Sequence, residues 1–225
     1  MTDIGGELEA GWADISVPLR PGIAIFEGDP SFHLERAFSI AGGALCNVSR
    51  LDMGVHTGTH LDAPLHFIDG APASESIPLE AGIGPAWVVD ATGVQGATLG
   101  VDDLAGLEIP DGETRLLFKT RNSELWGVPQ FSTAFVGLDG PAAEALAARG
   151  IRLVGIDYLS IAPLGDPVDT HRALLGAGIA ILEGIDLRTV DPGPVELLCL
   201  PIRLIGSDGV PARALVRPRT TRTGR

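Results

Sequence analysis

Short apolar or alternating runs, each closed by Gly, Pro or Asp, recur along the chain and predict strands. They fall at 15–19, 32–40, 45–53, 86–90, 114–119, 135–137, 152–156, 179–183, 195–201 and 212–216. Helical signals are fewer. The clearest covers 141–149, with Pro141 at its first position, an alanine-rich body and Gly150 just past its end, the combination that starts and stops a helix. Residues 101–106 predict a short helix, and 170–175 another capped by Asp169 or Thr170. Strands with a few helices between them predict an α/β or α+β domain with a mixed β-sheet. No internal repeat or long linker interrupts the pattern. Residues 1–216 read as one domain, and the polar, basic stretch 217–225 is expected to fray.

Composition narrows the functional classes. A chain of 225 residues with 45% hydrophobic and 20% charged residues is long enough for a real core and ordinary for a soluble protein. No run reaches the roughly 18 uninterrupted apolar residues of a membrane helix. Residues 1–11 lack the basic-then-apolar order of a signal peptide, so the expected location is cytoplasmic, with no membrane partner. A formal net charge of −13 argues against nucleic acid, which selects a basic face. Cys46 and Cys199 form no CxxC pair and are expected as reduced, buried, small apolar residues. No GxSxG elbow, GxxxxGK[ST] phosphate loop or GxGxxG fingerprint is present.

The chemistry concentrates in one place. Of five histidines, three lie within 56–66, at His56, His60 and His66, with Asp62 among them. All four occupy even positions, so an extended chain would place them on one face. A straight strand would spread them over roughly 33 Å, too far for bonds of about 2 Å to one ion. The chain must therefore bend, and Gly58 and Pro64 are suited to bending it. Imidazole nitrogen combined with carboxylate oxygen suits zinc, manganese or iron.

Glu183 is the single charge in the apolar run 179–185. Such a carboxylate either faces solvent, pairs with an arginine or binds metal, because burying it alone is costly. His171 lies upstream, near the start of the third predicted helix.

The stretch His56-Thr57-Gly58-Thr59-His60-Leu61-Asp62-Ala63-Pro64-Leu65-His66-Phe67 resembles the signature His-x-Gly-Thr-His-x-Asp-x-Pro-x-His-Phe of the cyclase-type metal-dependent hydrolases. Bacterial kynurenine formamidase and isatin hydrolase belong to that family. Weaker matches follow in the family's order: Asp14-Ile15-Ser16, Gly28-Asp29, Gly155-Ile156-Asp157, His171 with Ile181-Leu182-Glu183-Gly184, and Leu200-Pro201 through Ala214.

The resemblance implies a swivelling β/β/α fold and a set of roles. His56, His60 and Asp62 would bind a divalent transition metal, zinc first and manganese as the alternative, with Glu183 joining them. In a dinuclear arrangement Asp62 and Glu183 would bridge to a second ion held by His171. His66 would be the general acid/base, or else a further ligand; His33 has no matching role. The resemblance also implies a homodimer in which the neighbour's N-terminal segment completes the pocket.

Two departures bear on the substrate and leave the ligand set intact. Formamidases tend to carry Trp-Pro-Gly-Asp near the N-terminus, where the tryptophan contacts an aromatic substrate. Here the stretch is Phe26-Glu27-Gly28-Asp29, with Phe26 as the candidate aromatic wall. Tyr158 stands where smaller residues are common. The implied substrate is a small-molecule amide, an aryl formamide such as N-formylkynurenine, giving kynurenine and formate. The alternatives are ring opening of an isatin-like or imide-like cyclic amide and, in a different class, a metal-binding module without catalysis. A hydrolysis screen with added zinc or manganese separates all three.

Overall fold

A computed structural model describes residues 11–128 and 130–219. Its strands are β1 (Ala13–Asp14), β2 (His33–Phe38), β3 (Val48–Asp52), β4 (His60–Asp62), β5 (Ile83–Asp90), β6 (Thr98–Leu99), β7 (Arg115–Lys119), β8 (Gly137–Leu138), β9 (Leu153–Ile156), β10 (Ala180–Glu183), β11 (Gly193–Pro201) and β12 (Gly209–Pro218). Its α-helices are α1 (Val101–Gly106), α2 (Gly140–Ala148) and α3 (Pro167–Gly176). Eight strands form one sheet in the order β1-β12-β11-β5-β7-β9-β10-β4, and β4 also pairs with β12, which closes the sheet into a barrel. The run β5-β7-β9-β10 is parallel and the remaining pairings are antiparallel. The domain is thus α/β with a mixed sheet and few helices.

Alternation along the strands decides what lies inside the barrel and what faces the helices. Leu61, Leu117, Leu153, Leu182 and Leu197 share the inner core with Val88 and Val210. Their neighbours Leu116, Phe118, Val154, Ile156 and Ile181 point the other way and pack with Ala142, Ala143 and Leu146 of α2 and Leu174 and Leu175 of α3. Central strands buried on both faces read as continuous apolar runs, which is why 116–118 and 153–156 stand out in the sequence. Each fully buried leucine here contributes about 1.5–3 kcal/mol relative to exposure.

Several expectations are corrected. The run 15–19 is not a strand; the ladder is Ala13–Asp14, because the Asp14 carboxylate accepts the Ser16 N–H at 3.0 Å and turns the chain. Helix α3 begins at Pro167, with Asp166 at its N-cap. Asp169 and Thr170, expected as caps, lie inside it, and the Thr170 hydroxyl instead donates to the Leu138 carbonyl. The stretch expected to fray from 217 is strand through Pro218. Arg217 is held there by Glu196, its register partner, at 2.5 Å, and lies 4.6 Å over the Trp12 ring. The rest of that stretch, 220–225, lies outside the described residues. Cys199 is buried as expected, and burial pushes its thiol up to about 12. Cys46 is exposed, because it sits in the connection between β2 and β3, a hairpin whose strands, among the described residues, pair only with each other. No helix among the described residues is long and apolar enough to cross a membrane.

Candidate metal centre

The barrel's closing strand builds the site. His60 and Asp62 are two residues apart on β4, so their side chains leave the same face, while Leu61 between them points into the barrel. In the β4–β10 pairing His60 lies opposite Glu183 and Asp62 opposite Ile181, which puts Glu183 on that face too. It is the face that α3 covers, and α3 contributes His171. Burial is nearly complete: His60 and Asp62 are 0% exposed, His171 2% and Glu183 4%. Ile181, two residues before Glu183, packs in the helix-side core, so the apolar run around Glu183 has one carboxylate pointing into a polar cleft.

The bend expected upstream of β4 is present. Gly58 has φ +73, and a Cβ there would come within 2.7 Å of Leu19. Gly184, at φ +69, lies against Gly58; a Cβ on it would meet the Gly58 carbonyl oxygen at 2.1 Å. Thr59 ties these turns together, accepting the Val17 N–H and donating to the Gly184 carbonyl. Past β4, Pro64 opens a single 3-10 turn that ends on His66. The fold thereby returns His56 and His66 to the two ends of one short segment, with their rings stacked at 3.9 Å.

Two carboxylates organise the histidines. Asp62 Oδ1 lies 3.0 Å from His56 Nδ1 and 3.3 Å from His60 Nε2, whereas its Oδ2 lies 3.7 Å from His171 Nε2. Glu183 repeats the pattern, with Oε2 3.4 Å from His60 Nε2 and Oε1 3.3 Å from His171 Nε2. Each carboxylate therefore turns one oxygen to the His60 side and the other to His171. His60 donates from Nδ1 to the Gly58 carbonyl at 2.8 Å, and His171 from Nδ1 to the Pro167 carbonyl at 2.6 Å, which leaves Nε2 of each as the atom facing the carboxylates. Among the described residues, His60 Nε2 and Asp62 Oδ2 are buried with no hydrogen-bond partner. Buried polar atoms are rarely left so. Two orphaned lone pairs, converging among imidazoles and carboxylates, fit a cation. Ligand atoms of His60, Asp62 and Glu183, and separately of His56, Asp62 and His66, lie within 4.8 Å of one another.

The charges respond accordingly. Burial opposes ionisation of Asp62, but the hydrogen bond from His56 and the adjacent His60 imidazole outweigh it and hold the carboxyl well below its ordinary range. Burial likewise opposes charge on His60, and the two carboxylates overcome it, lifting the imidazole to about 10. His171 is raised against its burial by Glu183, and His56 against its burial by Asp62 and Asp208. His66 differs: burial dominates and lowers it, so it is a neutral imidazole near pH 7, able to accept a proton.

His56, His60, Asp62, His66, His171 and Glu183 are thus brought together. Phe26 is not part of that cluster. It packs on Phe131 at 4.8 Å, within an apolar group that includes Phe135, Tyr158 and Trp126. His33 is exposed at the start of β2. Asp157, in the Gly155-Ile156-Asp157 match, accepts from the N–H and hydroxyl of both Thr120 and Ser123; burial nevertheless pushes its carboxyl up to about 6. It fastens the turn after β7 to the end of β9. Two site residues carried no role in the sequence reading. Phe67 stacks on His171 at 4.0 Å, and its place at the end of the motif was the available signal. Asp208 reaches His56 Nε2 at 2.8 Å from an ordinary-looking Ser-Asp-Gly turn.

The Cyclase family model matches residues 13–163, from β1 through the segment after β9. The chain belongs to the cyclase family. Within the family, it is 36% identical over 208 residues to the kynurenine formamidase of Bacillus cereus, covering 92% of this chain and 97% of the relative. A protein described as a predicted metal-dependent hydrolase from Bacillus stearothermophilus superposes with TM-score 0.78 at 36% identity, covering 92% of this chain and 98% of that one. Isatin hydrolase A from Ralstonia solanacearum superposes with TM-score 0.75 at 25% identity, covering 91% and 90%.

Proposed function

We propose that the protein is a metal-dependent amidohydrolase that cleaves the C–N bond of an aryl formamide such as N-formylkynurenine, releasing formate. The observation that carries this reading is the converging cluster of buried imidazoles and carboxylates, held in a chain similar over nearly its whole length to a kynurenine formamidase. His56, His60, Asp62 and Glu183 would hold one divalent ion. Asp62 and Glu183 would share a second with His171, since each carboxylate has one oxygen on either side. The nitrogen and oxygen donors suit zinc, with manganese as the alternative. When bound, such an ion lowers the pKa of water and polarises a carbonyl oxygen.

The chain's own groups do the remaining work. His66, half-buried and neutral, would take the proton of the attacking water and deliver it to the leaving nitrogen, a transfer an anilide nitrogen needs before it departs. The Glu183 carboxylate is fixed by the Ile161 N–H at 2.6 Å. Phe67 holds the His171 ring flat against its own. Phe26 and its aromatic neighbours would form the wall for the aryl group.

The protein would act as a homodimer. The β2–β3 hairpin exposes Leu34, Phe38, Ile40, Leu45, Val48 and Leu51, and a lone two-stranded hairpin is marginal in water, so a second copy is the natural cover. The isatin hydrolase likeness keeps ring opening of a cyclic amide as a second reading. Turnover of N-formylkynurenine and isatin, each with metal-loaded and chelator-stripped protein, tests the assignment. Formamide cleavage that exceeds isatin opening and disappears with metal supports it; activity that survives stripping overturns it.

A further inference from the structure

The three buried or half-buried imidazoles that face the carboxylates are anchored differently. His60 and His171 each donate Nδ1–H to a backbone carbonyl and present Nε2. His56 is reversed. Its Nδ1 faces Asp62 Oδ1 at 3.0 Å, and its Nε2 faces the Asp208 carboxylate at 2.8 Å. The outer anchor of His56 is therefore a charged side chain.

The segment carrying Asp208 is built onto the motif. The Asp208 carbonyl accepts the Ala63 N–H at 2.9 Å, and the Ser207 carbonyl accepts the Ser74 N–H at 2.8 Å. The Ser74 hydroxyl donates to the Leu204 carbonyl, and the Gly206 N–H to Glu75. Gly209 pairs with Asp62 across β4 and β12. A Cβ on Gly209 would come within 2.5 Å of His56 Cε1 and 2.8 Å of Nε2, so the imidazole lies directly on the backbone of residue 209. His66 stacks on the same ring at 3.9 Å. His56 is thus held by backbone contact, by a neighbouring ring and between two carboxylates, Asp62 at Nδ1 and Asp208 at Nε2.

We infer that Asp208 is the positioning residue for His56: by accepting Nε2–H it fixes Nδ1 as the nitrogen turned toward the metal position. This rests on the metal reading above. A carboxylate behind a histidine ligand fixes its tautomer and raises its basicity, and losing such a group typically costs about 10- to 100-fold in metal affinity. Asp208 also lies 3.5 Å from His66 Nδ1, so the test must separate an effect on metal from one on proton transfer.

The experiment uses the full chain, stripped and titrated with Zn²⁺ against a chromophoric chelator, with the Co²⁺ absorption spectrum as a second readout. Asp208→Ala should bind Zn²⁺ about 10- to 100-fold more weakly and change the Co²⁺ spectrum. Asp208→Asn should fall between it and wild type, because a neutral oxygen accepts a weaker bond than a charged one. Wild-type affinity and spectrum in Asp208→Ala overturn the proposal, even if turnover falls, since that pattern assigns Asp208 to His66 instead. If Asp208→Ala does not fold, Asp208→Asn carries the same test, with weaker binding supporting the proposal and wild-type binding contradicting it. A wild-type protein that binds neither ion overturns the metal reading itself and this inference with it.

Discussion

The face of β4 and β10 and the β2–β3 hairpin break the usual rule of burial in opposite directions. The first buries two carboxylates and two imidazoles at 4% exposure or less, where isolated charges are costly. The second sets six large apolar side chains in the open, where they gain nothing from the hydrophobic effect. Contacts among the described residues explain neither. Each becomes reasonable once something is added: a cation between the carboxylates, and a second copy over the hairpin. On the proposed reading, a cation and a second copy would complete these two surfaces of a finished core, and the two can be broken independently.

The largest effects belong to the charged face. Asp62→Ala should lose metal and turnover together, because the carboxylate that joins His56, His60 and His171 is gone. His66→Ala should keep its metal and lose about 10²- to 10⁴-fold in rate, the usual contribution of a general acid/base. Metal analysis and kinetics on the same preparations check both. Metal loss in the His66 variant would make His66 a ligand, which its reach to His56 and Asp62 also permits.

The hairpin gives the next effect. Leu34 and Leu51 are register partners, so placing Glu at both puts like charges opposite each other on the apolar surface. Light scattering should show wild-type dimer and a monomeric double variant whose metal content is unchanged. A monomeric wild type with full activity would remove the second copy from the account.

A smaller effect follows from protonation of the stripped protein. The carboxylates raise His60 from an ordinary value of about 6.5 to about 10. A folded-state pKa above the unfolded one stabilises fully below about 6.5, and that contribution is lost as pH rises toward 10. Asp62 and Glu183 are lowered, so their contribution is present above the usual carboxylate range and is lost on acidification. The stripped protein should therefore lose thermal stability between about pH 6.5 and 10. Metal replaces those protons, so the loaded protein should change less over the same range. Melting temperatures of both forms check this; a stripped protein that gains stability across that range contradicts it.

The legibility of the molecule in its sequence divides along similar lines. Doubly buried strands such as β7 and β9 announce themselves by continuous apolar runs, and α2 by Pro141 and its alanines. The ligand cluster was legible because His56, His60, Asp62 and His66 lie close along the chain at spacings that only a bend makes useful. Strand β4 was not legible: three residues between a bend and a proline turn carry no periodicity, and its pairing with β10 and β12 is long-range. The start of α3 was misplaced because Asp169 and Thr170 look like caps, although Asp166-Pro167 is the stronger start signal. Asp208 was hidden because an Asp-Gly turn is normally just a turn; only barrel closure brings it to His56.

The central claim is that Asp62 and Glu183 serve two cation positions at once, and metal stoichiometry tests it most directly. Wild type and Glu183→Gln should be loaded with zinc, freed of excess, and assayed for bound metal and turnover on the same samples. The account predicts two ions per chain in active wild type. In Glu183→Gln, which keeps the shape but loses the charge, it predicts fewer ions and reduced turnover together. One ion per chain in fully active wild type, with Glu183→Gln retaining both its metal and its rate, would contradict it.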